Sequence, residues 1–262
     1  MLLVMNIFKL LYKSIYSPKD IARFRHESVG KAVLYIFLLS LIAILPISVY
    51  LSLSFVQTVK IAKEEVAEQL PPFSIENGIL KSELNAPLEI DLGDALFIFD
   101  STGETTLNDL DLSINQIAFL KEEMVLTSFG TYNQYAYSMF GELTITGEEL
   151  THFINGIYSM LNIIIPIFAI MLFLFTAIGK FIQVFILSFI GKLFANRANL
   201  SLLYKDLWKI SACSITLITM FFTIMDALNT QVPFSFSINW IVSIIVLYLA
   251  IKEVPKTEKI EK

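Results

Sequence analysis

Residues 150–179 read LTHFINGIYSMLNIIIPIFAIMLFLFTAIG. No aspartate, glutamate, lysine or arginine interrupts them, and a helix needs only about 20 apolar residues to cross the roughly 30 Å of bilayer hydrocarbon. Three further uncharged runs accompany this one, from Ala32 to Thr58, from Ile210 to Met225 and from Ala227 to Ile251. Across 262 residues, 55% are hydrophobic and 16% charged, where an average soluble domain carries about a quarter charged. The chain therefore reads as an α-helical polytopic membrane protein with four spans and a small, mainly β extracytoplasmic domain. The first run is not a cleavable signal. Residues 1–31 precede it, and its apolar stretch exceeds the roughly 7–15 residues of a signal core, so it reads as a signal anchor.

The net charge of −5 conceals an asymmetry that sets the orientation. Residues 1–31 carry six basic side chains (Lys9, Lys13, Lys19, Arg23, Arg25, Lys31) and two acidic ones. Residues 57–150 carry four basic and seventeen acidic side chains. Residues 180–209 hold five basic side chains (Lys180, Lys192, Arg197, Lys205, Lys209) against Asp206 alone. Because segments flanking spans on the cytoplasmic side are enriched in lysine and arginine, both termini are expected in the cytoplasm of a multi-pass cell-membrane protein. The expected division is 1–31, a cytoplasmic amphipathic region; 32–56, span one; 57–150, the extracytoplasmic β domain; 151–206, span two and its cytoplasmic or interfacial extension; 207–251, spans three and four; and 252–262, a cytoplasmic tail.

Residues 181–195 resist this scheme, being apolar except for Lys192. A fifth span there would split the basic segments across the membrane. It would also place Lys192 in hydrocarbon, where a charge at a helix centre costs roughly 2.5–3.5 kcal/mol, although one near an end can snorkel. Four spans is the preferred reading, with 181–195 continuing the second helix or lying at the inner interface, and a fifth span is left open. A helix from Phe153 to Ala195 would be about 65 Å long, so it must project or break. Gly179 and Gly191 are the expected break points.

Local signals fill in the rest. Residues 5–16, MNIFKLLYKSIY, place Phe8, Leu11, Tyr12 and Ile15 on one helical face and Lys9 and Lys13 on another. Such a helix suits an anionic inner leaflet, or it packs on the protein's own spans. Ser17 and Pro18 form an N-cap followed by proline at the first helical position. Pro46 lies in span one and Pro166 in span two, where neighbours can satisfy a freed carbonyl. Span three is expected over 207–228 and span four over 234–251, with Trp208 and Trp240 near interfaces. Thr146 and Glu149 have capping-box spacing ahead of span two.

In the outer region a helix is expected to continue from span one over Val59–Leu70. Asn77-Gly78 between alternating runs signals a two-residue hairpin. Leu88–Asp91, Ala95–Phe99, Gln116–Phe119, Met124–Thr127 and Tyr132–Phe140 are strand candidates, giving a mainly antiparallel sheet of four to six strands.

Candidate chemistry is sparse. Asp100-Ser101-Thr102-Gly103 has a likeness to an aspartic-protease loop, but it has one residue too many and no second copy, and such enzymes need two carboxylates sharing a proton. It reads as a turn. The acidic residues are dispersed without a calcium-loop spacing. Tyr132, Tyr135 and Tyr137 suit packing better than a carbohydrate platform. Cys213 is the lone cysteine, and the two histidines, His26 and His152, fall on opposite expected sides of the membrane, so neither a disulfide within the chain nor a zinc or copper site is expected. Asp226 and Lys209 read as span boundaries rather than members of an ion path, and His152 as interfacial. Asn199-Leu200-Ser201 forms a glycosylation sequon on the expected cytoplasmic side. No catalytic, cofactor-binding or metal-binding residue is singled out, no cofactor is expected, and nucleic acid is not an expected partner.

Four ordered blocks, FKLLYKSIYSPKDIARFR, GKAVLYIFLLSLIAILP, PPFSIENGILKS and LFIFDSTG, resemble the family called domain of unknown function 1189. A later stretch, FILSFIGKLFANRANLSLLYKDLWKISACS, is distantly similar to Yip-type membrane proteins. The first resemblance implies a membrane protein of low-GC Gram-positive bacteria. It brings the label maltodextrin utilisation protein, which some members carry, but no catalytic residues. The expected function is a non-enzymatic accessory or scaffold protein. Its partners would be the lipid bilayer and other membrane proteins such as a sugar transporter. A membrane sensor whose outer domain binds a ligand or envelope component is the alternative, and a channel or carrier is less favoured.

Overall fold

The computed structural model describes residues 6–66, 69–128, 130–141 and 144–255. Most of the expected tail, with residues 67 and 68 of the helix expected over Val59–Leu70, lies outside the described residues. The chain divides into two compact units, Met1–Val49 with Phe168–Lys262, and Tyr50–Ile167.

In the first unit, α1 (Ile7–Tyr16) and α2 (Pro18–Arg23) meet at Ser17, which ends one helix and caps the next. The Ser17 hydroxyl accepts from the Asp20 N–H at 3.3 Å, and Pro18 occupies the first turn, where its missing N–H leaves no bond unmade. A 3-10 turn, Phe24–His26, leads into α3 (Val29–Ile61), which carries Pro46. The unit also holds the later part of α4 (Gly147–Arg197), then α5 (Tyr204–Ser214), α6 (Thr216–Ala227) and α7 (Ser235–Lys252).

The third expected span is thus two helices. They part at Ile215, where the Thr216 hydroxyl donates to the Cys213 carbonyl at 2.7 Å, a contact that bends helices. α5 is central, with Leu207 and every residue from Lys209 to Ser214 buried. Leu10, Phe24, Tyr35, Ile36, Val184 and Leu247 belong to the core around it.

α4 is a single unbroken helix of 51 residues, about 77 Å long. The expected breaks at Gly179 and Gly191 do not occur. A Cβ at Gly191 would stand 3.4–3.5 Å from Ile251, Leu207 and Leu247, so this glycine marks a close approach of α4 to α5 and α7. Asn199, at φ +57, ends the helix instead, and the Leu200 N–H returns to the Ala195 carbonyl at 2.9 Å. The left-handed conformation is one that asparagine tolerates.

The second unit holds two sheets, where one was expected. The first is the antiparallel set β2 (Ile79–Ser82), β1 (Phe73–Glu76) and β8 (Ile145–Thr146), in that order. The second runs β3 (Leu88–Asp91), β4 (Leu96–Phe99), β5 (Gln116–Phe119), β6 (Glu123–Ser128), β7 (Thr131–Ala136). Its β4–β5 pair is parallel and its other pairs are antiparallel. Phe73, Ile75, Leu80, Phe97 and Phe99 form the core. The hairpin is as expected. Asn77 and Gly78 have φ +53 and +77, and Glu76 pairs with Ile79. The capping box also forms, with the Thr146 N–H donating to Glu149 at 2.9 Å and the Glu149 N–H to the Thr146 hydroxyl at 3.3 Å. β7 is shorter than expected, because residues 137–140 turn into a 3-10 segment.

Candidate functional site

α1 and α2 bring separated basic side chains to one place. Lys9 and Lys13 lie on α1, Lys19 and Arg23 on α2, and Arg25 and His26 on the turn after it. All six line a groove of about 970 Å³. The groove is positioned by packing of α2 against α7 and of the 3-10 turn against α5. Lys209, only 5% exposed, anchors that turn. Its ammonium donates to the Arg25 carbonyl, to the Glu27 carbonyl at 3.1 Å and to Asp206 at 3.0 Å. The lysine expected to mark a span boundary is therefore a buried strut.

Charge balance within the groove is uneven. Lys13 binds both carboxylate oxygens of Asp20 at 3.0 Å, and Arg23 stands 3.7 Å from the same group. Burial alone would raise the Asp20 carboxyl. The Ser17 hydroxyl and the Lys13 ammonium outweigh it and hold this group below the usual carboxylate range. Glu27 pairs with Lys31 at 2.9 Å. Among the described residues, no ion pair engages Lys9 or Lys19.

α1 packs one face on the protein and leaves another exposed. Leu10 and Ser14 are buried against the protein, while Phe8 and Tyr12 are each 65% exposed and Tyr16 continues their stripe. Lys9 and Lys13 lie between the buried and aromatic faces.

Polar contacts also run through the helices of the first unit. The Lys180 ammonium donates to Thr219 at 2.9 Å. Gln183 donates to Asn239 at 3.1 Å and to Ser243 at 3.2 Å. Tyr35 and Thr216 share a buried hydrogen bond of 2.6 Å. Lys180 facing Thr219 and Gly191 facing Leu207 put α4 antiparallel to α5 and α6. Phe185 and Phe189 meet Tyr204, with ring centroids 6.1 and 5.4 Å apart, and Phe194 meets Tyr248 at 5.3 Å. The part of α4 packed with the other long helices thus includes Lys180, rather than ending before it as residues 150–179 suggested.

In the second unit, Val66, Leu70, Pro71, Phe73, Gly147 and His152 line a pocket of about 520 Å³. Asp100 is fully buried and works as a loop anchor. One oxygen accepts from the Thr102 N–H at 2.8 Å, the Thr102 hydroxyl at 2.6 Å and the Gly103 N–H at 3.1 Å. The other accepts from the Thr105 N–H at 2.6 Å. Burial pushes its carboxyl up, but these donors prevail and lower it. The tyrosines do not form a platform. Tyr137 is buried, whereas Tyr132 and Tyr135 are exposed at positions of opposite strand parity. Among the described residues, no group of three or more His, Cys, Asp or Glu is placed to hold a metal ion.

The basic groove escaped the sequence reading because its cations were counted as topology signals, one by one. Their spacing on either side of Ser17-Pro18 was the available clue. Among the described residues, four helical stretches are long and apolar enough to cross a membrane: Val29–Val66, Gly147–Arg197, Tyr204–Ala227 (α5 with α6) and Ser235–Lys252. The family described as Protein of unknown function (DUF1189) matches residues 8–251. No curated protein and no solved structure matches the chain. With nearly its whole length matched, the chain belongs to the DUF1189 family.

Proposed function

We propose that this protein is a multi-pass membrane protein with a non-enzymatic accessory or scaffold role, its termini in the cytoplasm and its β domain outside. The observation that carries this reading is α4. From Phe153 to Leu193 the helix repeatedly exposes large apolar side chains, including Met160, Ile163, Ile170, Phe175 and Phe189. Only 11% of its most apolar window is buried. That stretch is about 60 Å long, twice the hydrocarbon thickness. Lipid can cover about half of it, and a protein surface must cover the rest. Orientation is supported by Lys9, Lys13, Lys19, Arg23, Arg197 and Lys205, which the positive-inside rule assigns to the cytoplasm. The maltodextrin label of some family members makes a sugar transporter the first partner to test.

Photo-crosslinking in native membranes tests the role. A crosslinker at Met160 or Ile163 should capture a membrane protein reproducibly, while one at Ile245 should capture lipid. Lipid adducts alone at all three positions would refute the scaffold role. Topology is checked separately with an impermeant maleimide, which should label Ser101→Cys from outside and spare Lys205→Cys.

The pocket near His152 supports a sensor as the second reading. It is lined by Val66 and residues 70–73, 146–148 and 150–152, where the outer domain joins α3 and α4, so a ligand there would act on both helices. Soluble maltodextrins should then raise the melting temperature of the purified protein, and no shift would remove this reading for that ligand class.

A further inference from the structure

We propose that the groove built by α1, α2 and the 3-10 turn binds the headgroup of an anionic phospholipid. Charge complementarity is the first argument. Six basic side chains line the groove, whereas Asp20 is already engaged by Lys13 and Arg23, and Glu27 by Lys31. Glu253 is the remaining acid there. Lys9 and Lys19 are exposed and, among the described residues, free of ion pairs. Arg23 is 64% exposed and makes only a 3.7 Å contact.

The second argument selects a lipid over a soluble phosphate. The exposed Phe8, Tyr12 and Tyr16 stripe borders the lysine face of the same helix. Tyr12 and Tyr16 meet edge to face, with ring centroids 5.2 Å apart. An amphipathic helix at a membrane surface buries such an apolar face at the acyl boundary and holds its cations at the phosphates. Lys9 would then meet the phosphate from one side of the groove and Lys19 and Arg23 from the other. The partly buried Lys13–Asp20 pair holds the two helices together and shapes the groove.

Native mass spectrometry of the full-length, delipidated protein tests this, with phosphatidylglycerol and phosphatidylcholine of identical chains as probes. The wild type should retain phosphatidylglycerol preferentially, and the preference should fall with salt during loading. Each basic contact is worth about fivefold, so Lys19→Gln should reduce the preference about fivefold. A Lys9→Gln, Lys19→Gln, Arg23→Gln variant should reduce it about a hundredfold. A matched Lys60→Gln, Lys63→Gln, Lys81→Gln variant should keep it. Equal retention of both lipids by the wild type would overturn the proposal. So would an unchanged preference in Lys19→Gln, or displacement of the lipid by glycerol phosphate at equal concentration. If the triple variant fails to fold, Lys19→Gln decides alone, since its side chain is exposed.

Discussion

Gly78 and Asp100 illustrate what single residues do in the second unit. At φ +77 a β-branched side chain is strained, and a Cβ at Gly78 would also stand 3.2 Å from the Ser138 backbone nitrogen. Gly78→Val should destabilise this unit by about 1–3 kcal/mol, read as a lower melting temperature of the full-length protein, and unchanged melting would mean that the turn does not hold the hairpin. Asp100 makes a pH prediction. Its folded carboxyl lies below the ordinary value of 3.8. Its contribution is therefore complete above the unfolded value and is lost as pH falls through the folded one. Acid unfolding below about pH 4 should weaken in Asp100→Asn, which cannot lose that charge; an identical acid limb would refute the assignment. The Asn77-Gly78 turn, the Ser17 cap and the Thr146–Glu149 box were legible because their partners lie within a few residues. The burial of Lys209 and the partner of Lys180 were not, because both depend on helices that are distant in the chain.

Among the elements, α4 departs furthest from the sequence reading. Glycine lowers helix propensity by about 1 kcal/mol relative to alanine, which made Gly179 and Gly191 look like breaks. Packing overrides that preference at Gly191, where Leu207, Leu247 and Ile251 converge. Gly191→Ala should therefore be neutral or stabilise by up to about 1 kcal/mol, because its contacts at 3.4–3.5 Å are ordinary. Gly191→Leu should lower the melting temperature by overpacking. A hinge would give a different result, with alanine itself perturbing the protein. Strand positions were largely readable from alternation and turn residues, and Gln116–Phe119 matches β5 at both ends. The parallel β4–β5 pairing was not readable, since residues 100–115 carry the chain between them without a helix of the length that usually marks a crossover. The early end of β7 likewise follows from Tyr137 turning into the core.

Four apolar helices and one acidic β region were visible in the whole chain because uncharged runs and charge asymmetry need no tertiary knowledge. Which part of α4 lies in hydrocarbon was not visible, because its apolar surface is longer than a bilayer and composition cannot choose a window within it. On the proposed reading the hydrocarbon segment is the part around residues 180–194, where Lys180, Gln183, Gly191 and Phe194 contact the other helices. This leaves Met160 and Ile163 for a protein partner, the central claim of the scaffold reading. Spin labels placed along α4 in native membranes measure this directly, through accessibility to oxygen in lipid and to a nickel chelate in water. Labels at Leu174, Ile182 and Phe189 should be open to oxygen, whereas labels at Phe153, Met160 and Ile163 should be shielded from both reagents. An oxygen maximum centred on residues 160–167, with position 180 at the water boundary, would contradict the account.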